Sequence, residues 1–178
     1  MRKVLLVLIA LFLATGSSLF ALQITGGEAQ AGGGDKILDF DTMVGLPRPF
    51  AGGEGNAIRG VDGGGLPWVV AEAVGELETN GDIEVKIEGL VLDPNDPTVI
   101  ALVRAGINPI PFFKAIVSCV SKDGDGNAVI VNVETGLFIA DMDGNSEIED
   151  SVDLPSPCIA PIIFVTSPGG SWFSATGF

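Results

Sequence analysis

The sequence contains no histidine and no tyrosine, and both absences limit the chemistry that the protein can perform. Without histidine, the Ser-His-Asp and Cys-His nucleophile systems and the histidine-rich zinc sites are excluded. Catalysis would have to use carboxylates, lysine, serine or a bound metal. No cofactor-binding motif stands out, so we expect neither catalytic nor cofactor-binding residues.

Positive charge is also scarce. Lysine and arginine number 9 against 23 aspartates and glutamates, which gives a net charge of −14 at pH 7. A surface this acidic repels nucleic-acid phosphates and anionic membranes, so we expect no nucleic-acid partner. The charge favours solubility and weak binding of cations.

The first residues have the three parts of a secretory signal. Arg2 and Lys3 supply a basic start, residues 4–13 are all apolar, and small polar residues follow. The apolar run is shorter than the roughly 20 residues that a membrane-spanning helix needs. We therefore predict a signal peptide over residues 1–21, with its cleavage point open, and a secreted or extracytoplasmic mature protein without a membrane span. The alternative is a retained N-terminal anchor.

Two cysteines, Cys119 and Cys158, are present. In an exported chain an even number of cysteines indicates a disulfide. This bridge would constrain the unfolded chain by roughly 4 kcal/mol. The alternative is two free buried thiols, and the pattern leaves open whether a bridge joins two sheets or two neighbouring strands.

The composition divides the mature chain at about residue 66. Residues 22–66 are rich in glycine and have little apolar periodicity, which predicts a partly disordered leader. Within it, residues 37–50 carry enough apolar side chains for part of the segment to dock on a core. Residues 51–65 are predicted to form a long mobile loop, and residues 67–178 a folded domain.

The domain has strand-like segments separated by turn residues, as β-hairpins do. Residues 83–88 alternate between apolar and charged side chains, as in a strand with one packed face. Asn80-Gly81 precedes them and predicts a hairpin turn with positive φ at both residues. Residues 112–121 are nearly all apolar and predict a central strand. Seven or eight short strands with regular turns favour an all-β fold, a single antiparallel β-sandwich.

Residues 98–105 fit two structures. Asp96, Pro97 and Gly106 are suited to the start and the end of a helix. Val99, Ile100 and Val103 are β-branched and favour a strand. The sequence alone leaves both alternatives open.

Paired carboxylates are the residues on which a hydrolase would have to depend. The candidate pairs are Glu84 with Glu88, Glu147 with Glu149, and Asp39 with Asp41. A two-carboxylate mechanism requires one acid with a raised pKa, which needs partial burial. Strand alternation places the glutamates on outward faces, so we interpret them as solvated groups, and the aspartates as loop residues.

A possible calcium site begins at Asp123. Asp123, Asp125, Asn127 and Glu134 have the spacing of the first, third, fifth and twelfth positions of an EF-hand loop. Ala128 replaces the glycine that this loop needs at its sixth position, and strands replace the flanking helices. We therefore predict a plain hairpin turn, with calcium binding as the alternative. Residues 141–145 form a second, weaker match.

Three stretches resemble exported bacterial proteins that have no assigned activity: residues 64–70, 108–119 and 153–161. The resemblance covers roughly residues 60–178 and implies no function. The residue pattern of 74–77 and 88–90 also resembles that of CHRD-type β domains. This chain lacks the histidines of that family, so no metal role is carried over.

Together these features favour a secreted structural or interaction module over an enzyme. Its partner would be an extracellular protein or a surface. A carboxylate-based hydrolase and a calcium-dependent binding module are the alternatives.

Overall fold

A computed structural model describes residues 34–52 and 56–176, and their regular secondary structure is almost entirely β. The predicted signal peptide, residues 22–33 of the leader and residues 53–55 of the predicted loop lie outside the described residues. In chain order the strands are β1 (Lys36–Phe40), β2 (Val44–Gly45), β3 (Trp68–Val69), β4 (Glu72–Glu78), β5 (Asp82–Glu88), β6 (Val91–Leu92), β7 (Phe112–Lys122), β8 (Ala128–Glu134), β9 (Phe138–Ile139), β10 (Ser146–Ser151), β11 (Ile159–Thr166) and β12 (Trp172–Ala175). A 3-10 turn spans Arg48–Phe50, and one helix, α1, spans Pro97–Ala101.

Two antiparallel sheets share one hydrophobic core, as the predicted sandwich requires. The four-stranded sheet has the order β1-β4-β5-β10. The larger sheet has the order β2-β12-β11-β7-β8, with β9 also paired to β7, and β3 pairs with β6 beside them. Strands from both large sheets contribute side chains to a single buried cluster. The all-β antiparallel fold predicted from the sequence is confirmed.

The clearest strand pattern in the sequence is confirmed at β5. Ile83, Val85 and Ile87 are buried, and the residues between them are exposed. The turn before β5 differs from the prediction, because Gly81 has φ +94° whereas Asn80 does not have positive φ. The side-chain oxygen of Asn80 instead accepts a hydrogen bond from the Asp82 N–H. One glycine in the left-handed region therefore suffices, with the asparagine side chain bracing the turn.

The larger sheet is covered on both faces, which explains the continuous apolar run of β7. Trp172 and Phe173 are neighbours on β12 and therefore point to opposite faces. On one face Phe173 stacks on Trp68 with 4.0 Å between ring centroids. On the other face Trp172 lies 6.3 Å from Phe50 and 6.0 Å from Phe164. The cover on this second face comes in part from the segment that precedes residue 67.

Residues 34–52 and 56–66, assigned to the leader by composition, contribute to both sheets. β1 pairs with β4, and β2 pairs with β12. Further along, Trp172 N–H donates to the Asp62 carbonyl and Gly64 N–H donates to the Trp172 carbonyl. Met43, Leu46 and Val61 are buried in the core. The packed part of the chain therefore begins well before residue 67.

Cys119 and Cys158 form the predicted disulfide, with 4.9 Å between their Cα atoms. Cys119 lies on β7, and Cys158 directly precedes β11, where Ile159 pairs with Val120. The bridge therefore links two neighbouring strands of one sheet. The sequence had left open a bridge between two sheets or between neighbouring strands, and the structure has the second arrangement.

The ambiguous segment after Asp96 is resolved as a short helix. The Asp96 carboxylate accepts hydrogen bonds from the N–H groups of Thr98 and Val99, as an N-cap does. Arg48 also pairs with Asp96, and these contacts hold the pKa of Asp96 below its ordinary value, the arginine being the largest cause. In the described part of the chain no helix is both long and apolar enough to cross a membrane.

Candidate functional site

The outer face of the four-stranded sheet brings carboxylates together from three strands. Glu84 on β5 is the register partner of Glu76 on β4 and of Glu149 on β10. We call Glu76, Glu84 and Glu149 the carboxylate row. Like charges placed directly opposite across strands repel and destabilise a sheet. The row is therefore an energetic cost that a bound cation would relieve.

The carboxylate row borders a shallow depression of about 300 Å³. One carboxylate oxygen each from Glu84, Glu147 and Glu149 can lie within 4.8 Å of the others, and all three residues are exposed. Two lysines partly balance this charge. Lys36 pairs with Glu76 and Asp39, and Lys86 with Glu88, and these contacts raise the pKa of each lysine.

The carboxylates proposed for a hydrolase do not lie in a cleft. Glu84, Glu88, Asp39 and Asp41 are all exposed on the sheet face or in the turn that follows β1. Glu147 and Glu149 are exposed as well. None of these six side chains therefore has the partial burial that a two-carboxylate general acid needs.

The predicted calcium ligands lie in the turn between β7 and β8, which we call the first aspartate turn, residues 123–127. One Asp123 carboxylate oxygen accepts hydrogen bonds from the N–H groups of Asp125 and Asn127, at 3.0 and 2.8 Å. The other oxygen accepts from the Asn127 side-chain amide at 3.1 Å. The Asn127 contacts hold the pKa of Asp123 below its ordinary value. Glu134 lies at the far end of β8, paired with Lys114, and does not join them.

The same five-residue arrangement recurs before β10 in the second aspartate turn, residues 141–145. Asp141 accepts hydrogen bonds from the backbone N–H and side-chain amide of Asn145, at 2.8 and 2.9 Å. These contacts lower the pKa of Asp141, the backbone hydrogen bond being the larger cause. In both turns the first aspartate therefore already has hydrogen-bond donors on both carboxylate oxygens.

Large apolar side chains are exposed where β9 meets the start of β7. Phe112 and Ile139 are register partners, and they are 40% and 77% exposed. Leu137 and Met142 flank β9 and are 53% and 68% exposed. We call Phe112, Leu137, Ile139 and Met142 the apolar shelf. Single exposed apolar residues are ordinary, but a group of them marks a binding surface in many proteins.

A cavity of about 380 Å³ adjoins the apolar shelf, lined by residues 107–111 and 140–142. Its walls are mainly apolar, with Ile110, Pro111 and Met142 among them. Asn108 is buried and holds the walls together: its side-chain amide donates to the carbonyls of Ile110 and Asp141, both at 2.8 Å. The cavity is thus built on a hydrogen-bonded frame.

Sequence reasoning did not identify the apolar shelf. The run Leu137-Phe138-Ile139 is visible in the sequence, but such a run usually marks a buried strand. Exposure arises because β9 has only two residues and lies at an edge. That depends on pairings between distant segments, which no local pattern records.

Comparisons with protein-family models, with curated proteins and with solved structures find no match to this chain. The resemblance to exported bacterial proteins and to CHRD-type domains therefore stays a prediction. The fold class is that of a disulfide-bonded, all-β, antiparallel protein. Its function has to be argued from its own surfaces.

Proposed function

We propose that this chain is an exported structural or interaction module that binds an extracytoplasmic protein through the apolar shelf. The observation that carries the proposal is the grouping of Phe112, Leu137, Ile139 and Met142 beside an apolar cavity. On a protein with a net charge of −14, such a surface costs free energy unless a partner covers it.

Export is part of this proposal and rests on two observations. The chain begins with a basic start and an apolar run, as secretory signals do. Cys119 and Cys158 are bonded, and stable disulfides persist mainly in oxidising compartments. Both features support a location outside the cytoplasm.

The hydrolase alternative receives less support from the described residues. Its candidate carboxylates are exposed on an open face, so they lack the environment of a general acid. The calcium-dependent alternative depends on the aspartate turns, where internal hydrogen bonds already occupy the first aspartate of each turn.

Site-specific photo-crosslinking tests the proposal with the full exported chain in its native host. A photoreactive residue replaces Ile139 on the apolar shelf or, as a matched control, Glu84 on the acidic face. We expect one adduct of defined mass from position 139 and none from position 84. The partner, identified by mass spectrometry and purified, should bind the wild-type chain and lose at least tenfold in affinity for Ile139→Ser.

Two results would overturn the proposal. One is equal labelling from both positions, which would mean that the shelf has no preferred partner. The other is an adduct made only of two copies of this chain, which would assign the shelf to self-association.

A further inference from the structure

The main strand orders of the two sheets end in four outer strands, and three of these carry features that discourage pairing with another strand. β9 also lies at an edge, and it has only two residues. β2 has only two residues. β1 has five residues, with a register irregularity between Lys36 and Leu38 and charged side chains. β10 carries three acids in six residues. β8 differs from all three, since Ala128–Val133 is uncharged and rich in β-branched residues.

The backbone of β8 has hydrogen-bonding groups directed away from the sheet. Thr135 N–H donates to the Ala115 carbonyl, and Asp123 N–H donates to the Asn127 carbonyl. These two bonds fix the alternation of the ladder, in which Val129, Val131 and Val133 bond to β7. The N–H and C=O groups of Ile130 and Asn132 therefore point outward. Among the described residues, no partner for these backbone groups is found.

The β8 segment is complementary to itself. If two copies align antiparallel about Val131, Ala128 pairs with Glu134, Val129 with Val133, and Ile130 with Asn132. No like charges meet in this arrangement. The same operation on β10 would place Glu147 opposite Asp150 of the second copy. Because each copy has a net charge of −14, self-association requires a contact with little charge.

An apolar row on the sheet reaches this edge. Ile130 is the register partner of Val120, which is the partner of Ile159 on the next strand. Ile130 and Ile159 are 45% and 50% exposed. In the paired arrangement Ile130 would lie diagonal to Ile130 of the second copy, within contact range for long side chains.

We propose that β8 is a self-association edge, to which β8 of a second copy adds in antiparallel orientation and joins two larger sheets into one. The contact uses one strand and a short apolar row, so it is a small interface and a weak one. The inference is independent of the proposed function, because it involves no residue of the apolar shelf.

Sedimentation of the mature, disulfide-bonded chain over a range of concentrations up to about millimolar tests this proposal. We expect a reversible monomer–dimer equilibrium. Ile130→Glu should raise the dimer dissociation constant at least tenfold, since residue 130 would lie diagonal to residue 130 and to Glu134 of the second copy, which places like charges near one another. Ile100→Glu is the matched control, because Ile100 lies on α1 and is 53% exposed, and its substitution introduces the same charge.

Amide hydrogen exchange gives a second readout that needs no variant. At high concentration the amides of Ile130 and Asn132 should exchange more slowly than at low concentration. The amides of Val129 and Val131, bonded to β7 in the monomer, should not change. A chain that stays monomeric throughout would overturn the proposal. So would a dimer whose dissociation constant is unchanged by Ile130→Glu and in which exchange of the Ile130 and Asn132 amides does not depend on concentration.

Discussion

The two aspartate turns have nearly the same sequence but different surroundings. Asp123-Gly-Asp-Gly-Asn127 and Asp141-Met-Asp-Gly-Asn145 both close with the first aspartate bonded to the last asparagine. In both, the glycine has positive φ, +85° for Gly126 and +80° for Gly144. Local sequence is therefore sufficient to fold the turn twice.

The turns differ in what they contact. The hydrogen bonds found for the first turn lie within the turn, and nothing comes within 4 Å of a Cβ built on Gly126. The second turn is bonded to distant segments: Leu90 N–H donates to the Gly144 carbonyl, and Asn108 N–H to the Met142 carbonyl. The same motif thus serves as a free hairpin end in one place and as a packed junction in the other.

The largest expected effect comes from substituting the two glycines. A Cβ at residue 144 would lie 2.2 Å from the Leu90 carbonyl oxygen, whereas a Cβ at residue 126 meets only solvent. We expect Gly126→Ala to lower the free energy of unfolding by about 1 to 2 kcal/mol, the cost of a left-handed alanine. Gly144→Ala should cost more than about 3 kcal/mol, because buried backbone has to move.

Urea unfolding of both variants measures this difference. Failure of Gly144→Ala to fold while Gly126→Ala folds agrees with the prediction. Equal losses in the two variants would show that the second turn can move away from Leu90 without cost.

Substituting the two asparagines should give a smaller difference in the free energy of unfolding, again with the larger loss in the second turn. Asn127→Ala removes one hydrogen bond, from the Asn127 side-chain amide to Asp123. Asn145→Ala removes the equivalent bond to Asp141 and also leaves Gly89 N–H without its acceptor, the Asn145 side-chain oxygen at 3.1 Å. We expect losses of about 1 kcal/mol for Asn127→Ala and about 2 kcal/mol for Asn145→Ala. Thermal unfolding of the pair tests this, and a larger loss at residue 127 would contradict the structural account.

The turns also show what sequence can and cannot predict in this protein. The first aspartate turn, the β5 alternation and the long β7 strand depend on local patterns and were predicted, and the sequence also showed residues 141–145 as a second match to the first turn. The packing of Gly144 on Leu90, the alignment of Glu84 with Glu149, and the pairing of β1 with β4 and of β2 with β12 depend on contacts between distant segments. Propensity and periodicity describe a strand's faces but do not identify its neighbours.

Acid titration should affect the two turns alike, in contrast to the glycine substitutions. Hydrogen bonds from Asn127 and Asn145 lower the pKa values of Asp123 and Asp141 in the folded state, relative to about 3.8 when unfolded. Their contributions to stability are therefore complete above that pH and decline as the pH falls through the folded-state values. Carboxyl NMR titration should give midpoints below 3.8 for both residues.

Asp123→Asn and Asp141→Asn should each be less stable than the wild type at neutral pH, and this difference should shrink in acid. Midpoints at or above 3.8 would mean that the hydrogen bonds seen in the turns do not persist in solution.

Calcium binding at the two aspartate turns should affect the stability of the protein less than any of the substitutions above. Asp123 would have to give up hydrogen bonds from Asn127 to bind the ion, and Glu134 is held at the end of β8 by Lys114. The carboxylate row, by contrast, has three like charges that a cation would screen. We therefore expect any rise in melting temperature on adding millimolar calcium to be retained in Asp125→Asn and reduced in Glu84→Gln. A rise lost in Asp125→Asn alone would instead place the ion in the first aspartate turn, as the spacing of Asp123, Asp125 and Asn127 suggests.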